Sequence, residues 1–306
     1  MSVNRKPRIG LALGSGSARG WAHVGVIRAL EQAGIRPDLV CGTSVGAMVG
    51  AAYAAGQLDS FEKWLIGMEV KDVLSFMDVS MSGGVLKGER LMDFFRSNFV
   101  DRPIEELDIP FGAVSTALRT GNEVWLREGS TVEAIRASIA IPALFTPVQR
   151  DGLILVDGAL VNPVPVSLAR AMGAEVVIAV DLNTKSQGHH MTKDSQIEEP
   201  PDNSVGRWTR KIQENMGGLA SIFLSSKDDL PSLHDVIASS IEIMQVRISR
   251  SRMAGDPPDV IISPRLAHFG LFEYHRAKEA IEEGRHAVEA ALYHLNDTNK
   301  LTLPWG

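Results

Sequence analysis

The sequence predicts an α/β fold, a mostly parallel central sheet with helices on both faces, and three observations carry that prediction. Residues 8–13 form an apolar run that leads through the loop Gly14-Ser15-Gly16-Ser17-Ala18-Arg19-Gly20 into a helix with Val24, Ile27 and Leu30 at helical spacing. The unit then repeats: Leu39-Val40-Cys41 leads through Gly42-Thr43-Ser44-Val45-Gly46 into the small-residue helix pattern of residues 47–52. Val176–Val180 is a β-branched run ending at Asp181, the kind of strand that a parallel sheet buries on both faces. With 306 residues, 44% of them hydrophobic, the chain can bury such a core.

The remaining elements follow in order. Gly34 stops the first helix before the second strand, and Gly56 can end the second helix. Residues 39–58 carry no charge over about the length of a membrane span, but glycines, Thr43, Ser44 and Gln57 divide them into a buried strand and a short helix. Residues 61–76 read as a helix, Ser82-Gly83-Gly84 and Gly88 as a mobile loop, and residues 89–99 as another helix. Residues 109–118 and 123–126 read as strands joined at Thr120-Gly121-Asn122, a hairpin signal. Ser130 and Glu133 have capping-box spacing for a helix that stops before Pro142.

Residues 153–156 form a short strand leading into Asp157-Gly158. From 186 to 233 the pattern gives way to polar, proline-containing sequence, read as a variable, lid-like or disordered insertion in a single domain spanning 8–295. Helical order returns with Ile237, Ile241, Met244 and Ile248 until Gly255, Pro257 and Pro258, and residues 260–263 make a last strand. The final helix carries Ala280, Ile281, Ala287, Val288, Ala291, Leu292 and Leu295 on one face.

A net charge of −6 argues against a nucleic-acid partner, whose phosphates require a basic surface. The single cysteine, Cys41, sits in a strand and reads as a buried, inert thiol of a reducing compartment. The apolar stretch near the N-terminus is too short for a signal peptide, so a cytoplasmic protein is expected.

Gly42-Thr43-Ser44-Val45-Gly46 places a serine on a sharp turn between strand and helix, which projects its hydroxyl outward. Ester hydrolysis by such a serine also needs a base and oxyanion donors. The Gly14–Gly20 loop follows the first strand, so its amides open on the same sheet edge, and Arg19 could hold the loop or a phosphate. A dinucleotide site is disfavoured because its fingerprint requires glycine where Arg19 stands. For the base, His268 or His275 would give a serine–acid–histidine order, while His23 on the first helix reads as a core or surface histidine. Asp157 has the better setting, after an apolar strand and before Gly158, but an ordinary aspartate with pKa about 3.9 must be desolvated to serve.

The loop 14–20, the motif around Ser44 and Asp157-Gly158-Ala159, in this order, resemble the patatin-like phospholipase family. Arg136-Ala137-Ser138-Ile139-Ala140-Ile141-Pro142 and Val161-Asn162-Pro163-Val164-Pro165 are also family-like, and residues 253–259 are most similar to the bacterial RssA-type subgroup. The resemblance implies a patatin-like α/β/α sandwich and a serine–aspartate dyad, Ser44 as nucleophile and Asp157 as base. It implies oxyanion donors near Ser15, Gly16 and Ser17, with Gly14, Arg19, Gly20, Gly42, Gly46, Gly158 and Ala159 as the motif positions around them. It further implies hydrolysis of phospholipid or lysophospholipid acyl esters without a metal or cofactor.

One departure stands out: Ser15 and Ser17 interrupt a glycine run common in the family, and a positive φ there would strain serine. A regulatory lipid- or protein-binding role with a weak site is therefore the second expectation. The basic residues Arg247, Arg250 and Arg252 read as a solvated helix face, with peripheral contact to anionic headgroups as the alternative.

Overall fold

The computed structural model describes residues 6–76, 86–99, 102–142, 144–183, 233–270 and 272–297. Its chain forms two compact units, residues 1–186 with 245–306, and residues 187–244. The insertion read at 186–233 and the loop read at 82–84 lie outside the described residues, apart from Leu233.

At the centre of the first unit, β1 (Ile9–Leu13) pairs in parallel with β2 (Leu39–Thr43) and with β7 (Val176–Val180). β3 (Phe111–Ala117) extends the sheet in parallel beyond β2, and β8 (Val260–Ile262) does so beyond β7. Three pairings are antiparallel: β4 (Glu123–Leu126) on β3, β6 (Leu153–Asp157) on β3, and β5 (Val148–Arg150) on β6. The sheet is thus mixed and mostly parallel.

Alternation along the strands gives each face its own core. Leu11, Leu13, Val40, Ile178 and Val180 pack on one side, and Ala12, Leu39, Cys41, Val177 and Ala179 on the other. The first face is covered by α1 (Ala22–Gln32), α2 (Val45–Ala54), α3 (Leu58–Ile66) and α9 (Ala277–Asp297). The second is covered by α7 (Val166–Ala171), through Val166, Leu168 and Ala169.

The helix read at 61–76 is two helices. α3 ends at Ile66, Met68 turns inward and is buried, and α4 (Val70–Ser75) restarts where the Asp72 carboxylate accepts the Glu69 N–H at 2.9 Å. α5 (Glu89–Asn98) follows, and α6 (Thr131–Ser138) is capped as expected, with Ser130 Oγ accepting the Glu133 N–H at 3.3 Å. α8 (Leu233–Gly255) ends just before the diproline. No helix among the described residues is long and apolar enough to cross a membrane.

Candidate active site

Strand pairing alone brings two chain ends together. Residues 113–116 of β3 pair with β4, residues 111–114 also pair with β2, and residues 115–117 also pair with β6. A strand has two edges, so β2 and β6 must lie end to end along the edge opposite β4. Thr43, the last residue of β2, lies opposite Val114, and Asp157, the last of β6, lies opposite Ser115. Ser44 and Asp157 therefore emerge at one point although 113 residues separate them. Ser115 Oγ donates to Val156 O at 2.7 Å and Thr116 Oγ1 to Asp157 O at 2.8 Å, fixing the register at this junction.

The turn that carries Ser44 is sterically tight. A Cβ on Gly42 would stand 2.3 Å from Gly46 O, and one on Gly46 would stand 2.2 Å from Leu13 O, so both positions need glycine. Ser44 itself has φ 57° and ψ −125°, a strained conformation for a residue with a side chain. Its N–H donates to Ser138 Oγ at 2.9 Å, and Ser138 Oγ–H donates to Val114 O at 2.6 Å, so α6 ties the turn to β3.

Ser44 Oγ–H donates to Asp157 Oδ2 at 2.6 Å, and the other carboxylate oxygen accepts the Ala159 N–H at 2.8 Å. The two side chains are nearly enclosed, with Ser44 4% and Asp157 2% exposed. Burial pushes the Asp157 carboxyl up to about 7, against the opposing effect of the Ser44 hydroxyl and the Ala159 amide.

The Gly14–Gly20 loop opens beside this pair. Gly14 N–H continues the sheet to Val180 O at 3.0 Å, and Ser15 N–H donates to Pro163 O at 2.9 Å. Ser15 is thus engaged inside the fold, its carbonyl accepting from Asn183 Nδ2 at 3.3 Å. Gly16 and Ser17 remain beyond that anchor. Ser17 is left-handed, at φ 52°, and its hydroxyl lies 2.7 Å from that of Tyr274. Arg19 is fully buried and its Nε–H donates to Phe269 O at 3.3 Å, holding the 3₁₀ turn Ser17–Trp21.

Ser17 and Ser44 are the polar side chains, together with Tyr274 and the two indoles, on the wall of a pocket of about 110 Å³. Its other walls are apolar, among them Met48, Trp64, Val73, Leu91, Ile141 and Phe145. Arg136 braces one side, donating to Lys87 O and, at 2.9 Å and 2.8 Å, to the carbonyl and hydroxyl of Thr146.

The three histidines weighed for the site take other places. His268 is exposed and meets Glu279 at 3.1 Å, and His275 is exposed on a short 3₁₀ turn. His23 is buried and donates from Nε2 to Gly14 O at 2.7 Å, and burial lowers its pKa to about 4. It is a core histidine that braces the loop. Of the basic group, Arg252 pairs with Glu123, while Arg247 and Arg250 are exposed. Ser138 and Tyr274 are the site residues that the sequence did not single out for roles, since nothing local ties either to Ser44 or Ser17.

A mixed, mostly parallel sheet between helices that brings a buried serine and aspartate together beside an apolar pocket defines a class of α/β protein. The patatin-like phospholipase family model matches residues 11–170. An uncharacterized NTE family protein of Mycobacterium tuberculosis is 33% identical over 329 residues, covering 94% of this chain and 91% of that protein. Human patatin-like phospholipase domain-containing protein 6 is 33% identical over 186 residues, 58% of this chain but 14% of that protein. The crystal structure of VipD from Legionella pneumophila superposes with a TM-score of 0.53 at 14% identity, covering 94% of this chain and 67% of that one, a likeness of fold. The chain belongs to the patatin-like phospholipase family.

Proposed function

We propose that this protein is a serine acyl-ester hydrolase acting on phospholipid or lysophospholipid, through an acyl-enzyme on Ser44 with Asp157 as general base. The observation that carries the reading is the 2.6 Å bond to Asp157 Oδ2 from Ser44 Oγ, a residue on the wall of an apolar pocket. As Ser44 Oγ attacks the ester carbonyl carbon, its proton passes to Asp157. The tetrahedral oxyanion is stabilised by the Gly16 and Ser17 amides, Ser15 being engaged with Pro163. Asp157 then gives the proton to the departing alcohol. A water molecule, deprotonated by the same carboxylate, releases the fatty acid and restores Ser44.

The pocket's apolar walls suit an acyl chain, and neither step draws on a metal or cofactor. Ser44→Ala and Asp157→Asn are each expected to lower hydrolysis of a short-chain nitrophenyl ester by about 10³-fold or more, with the fold retained by circular dichroism. Full activity in either variant contradicts the dyad. The second reading, a regulatory protein with a weak site, draws on the left-handed Ser17 in the donor loop. A lipid panel with product analysis separates the two, since the hydrolase releases free fatty acid.

The RssA-type assignment rests on residues 253–259, the cytoplasmic setting on the single, buried Cys41, and contact with the inner membrane surface on the exposed Arg247 and Arg250. Charge reversal at those two arginines is expected to weaken binding to anionic liposomes at low salt, whereas unchanged binding removes the headgroup contact.

A further inference from the structure

Tyr274 belongs to none of the motifs that mark the site, yet its hydroxyl lies 2.7 Å from that of Ser17, on the wall of the pocket that Ser44 faces. Ser17, Ser44 and Asp151 are the non-glycine residues of the described chain with left-handed backbone. Asp151 sits on an exposed turn, whereas Ser17 lies among the proposed oxyanion donors. The Cβ of an L-residue disfavours this conformation, so a hydrogen bond to the side chain helps to hold it.

The geometry points to Tyr274 as a positioning residue of the hydrolytic site: its hydroxyl fixes Ser17 in the left-handed conformation and so aims the Ser17 N–H at the carbonyl oxygen under attack. The inference rests on the ester-hydrolase reading above. Tyr274 is also tied to the far end of the same 3₁₀ turn as Ser17, at Trp21. Trp21 Nε1–H donates to Tyr274 O at 3.1 Å, and the two rings lie 5.8 Å apart at 58°. The tyrosine opens the 3₁₀ turn Tyr274–Arg276 that runs into α9, so the hold on Ser17 comes from a segment seated on the core.

Other anchors of the loop act at other residues: His23 holds Gly14 O, Pro163 holds the Ser15 amide, Asn183 holds Ser15 O, Gln245 meets Ser15 Oγ and Arg19 reaches Phe269 O. Tyr274 adds a side-chain hold at a donor residue itself. Burial raises the phenol above its ordinary value, so it stays neutral through the range in which Asp157 titrates.

The test measures kcat and KM for nitrophenyl butyrate in Y274F, S17A, the double variant S17A/Y274F, S17G and S17G/Y274F. Y274F and S17A are each expected to lower kcat about tenfold, with KM within about twofold, as loss of one orienting hydrogen bond implies. Because they break the same bond, the double variant should lie within about twofold of either single one. On the S17G background, where glycine adopts positive φ unaided, Y274F should change kcat by less than about twofold relative to S17G itself.

The midpoint of the pH profile should not move in Y274F, since the tyrosine acts on the loop and not on the base. Multiplicative losses in the double variant, an equal loss on the S17G background, a shifted midpoint or full kcat in Y274F would each overturn the inference. Should Y274F fail to fold, S17A falling below S17G in kcat supports the clamp and equal rates overturn it. Turnover that persists in S44A is a distinct result, which overturns the hydrolase reading beneath it.

Discussion

Asp157 is held where a carboxylate is costly, and that single placement links activity to stability. With its pKa raised to about 7, the proposed base gains its charge as pH rises through neutrality, so kcat/KM should climb with pH through a single limb centred near 7. A midpoint near 4 in a pH–rate series would contradict this. The stability effect has the opposite direction. A group whose folded pKa is raised stabilises the fold while protonated, below its ordinary value of 3.8, and that contribution is lost as pH rises through about 7. Asp157→Asn cannot ionise, so it should exceed the parent in stability at pH 8 by up to about 4 kcal/mol and by little at pH 4, as read by urea unfolding. Ser44 and Asp157 were legible in the sequence because each follows a strand and meets a glycine, a local pattern. Ser138 and Tyr274 were not, because they reach Ser44 and Ser17 across 94 and 257 residues.

Among the elements, α1 and α9 cross closely enough that two glycines decide the contact. A Cβ on Gly25 would stand 1.8 Å from Ile281 O, and one on Gly284 would stand 2.0 Å from Ala22 O. Gly25→Ala and Gly284→Ala are each expected to destabilise by about 1–3 kcal/mol in urea unfolding, because backbone must separate to admit the methyl. Helix propensity alone predicts the reverse, a gain of about 1 kcal/mol, so the sign decides. Long periodic helices and the hairpin at Thr120-Gly121-Asn122 were readable because their patterns repeat or have specific turn chemistry. α7 has six residues and β5 three, too few for a period to show, and neither was foreseen. The break after Ile66 was hidden because Met68 continues the apolar pattern while its backbone leaves the helix.

In the molecule as a whole, the parallel centre followed from the strand–helix units, but the direction of β6 did not. A strand's sequence does not record which neighbour it joins, so the end-to-end meeting of β2 and β6 on β3 emerges only from the pairing. The region matched by the family model, residues 11–170, is not the whole of this core, since β7 lies beyond it and β8 and α9 complete the sheet edge and cover α1. A chain ending at residue 183 should therefore bare the α1 face around Ala22, Gly25 and Val26 and lose cooperative thermal unfolding. A sharp melt in such a fragment, followed by circular dichroism, would show that the C-terminal elements are dispensable for the core.

Reaction with a fluorophosphonate, followed by intact-mass measurement and peptide mapping, tests most directly whether Ser44 is a nucleophile activated by Asp157. One adduct per chain, mapped to Ser44 and lost in Asp157→Asn, is the predicted result. An unlabelled parent protein, an adduct on another residue, or undiminished labelling of Asp157→Asn would contradict it.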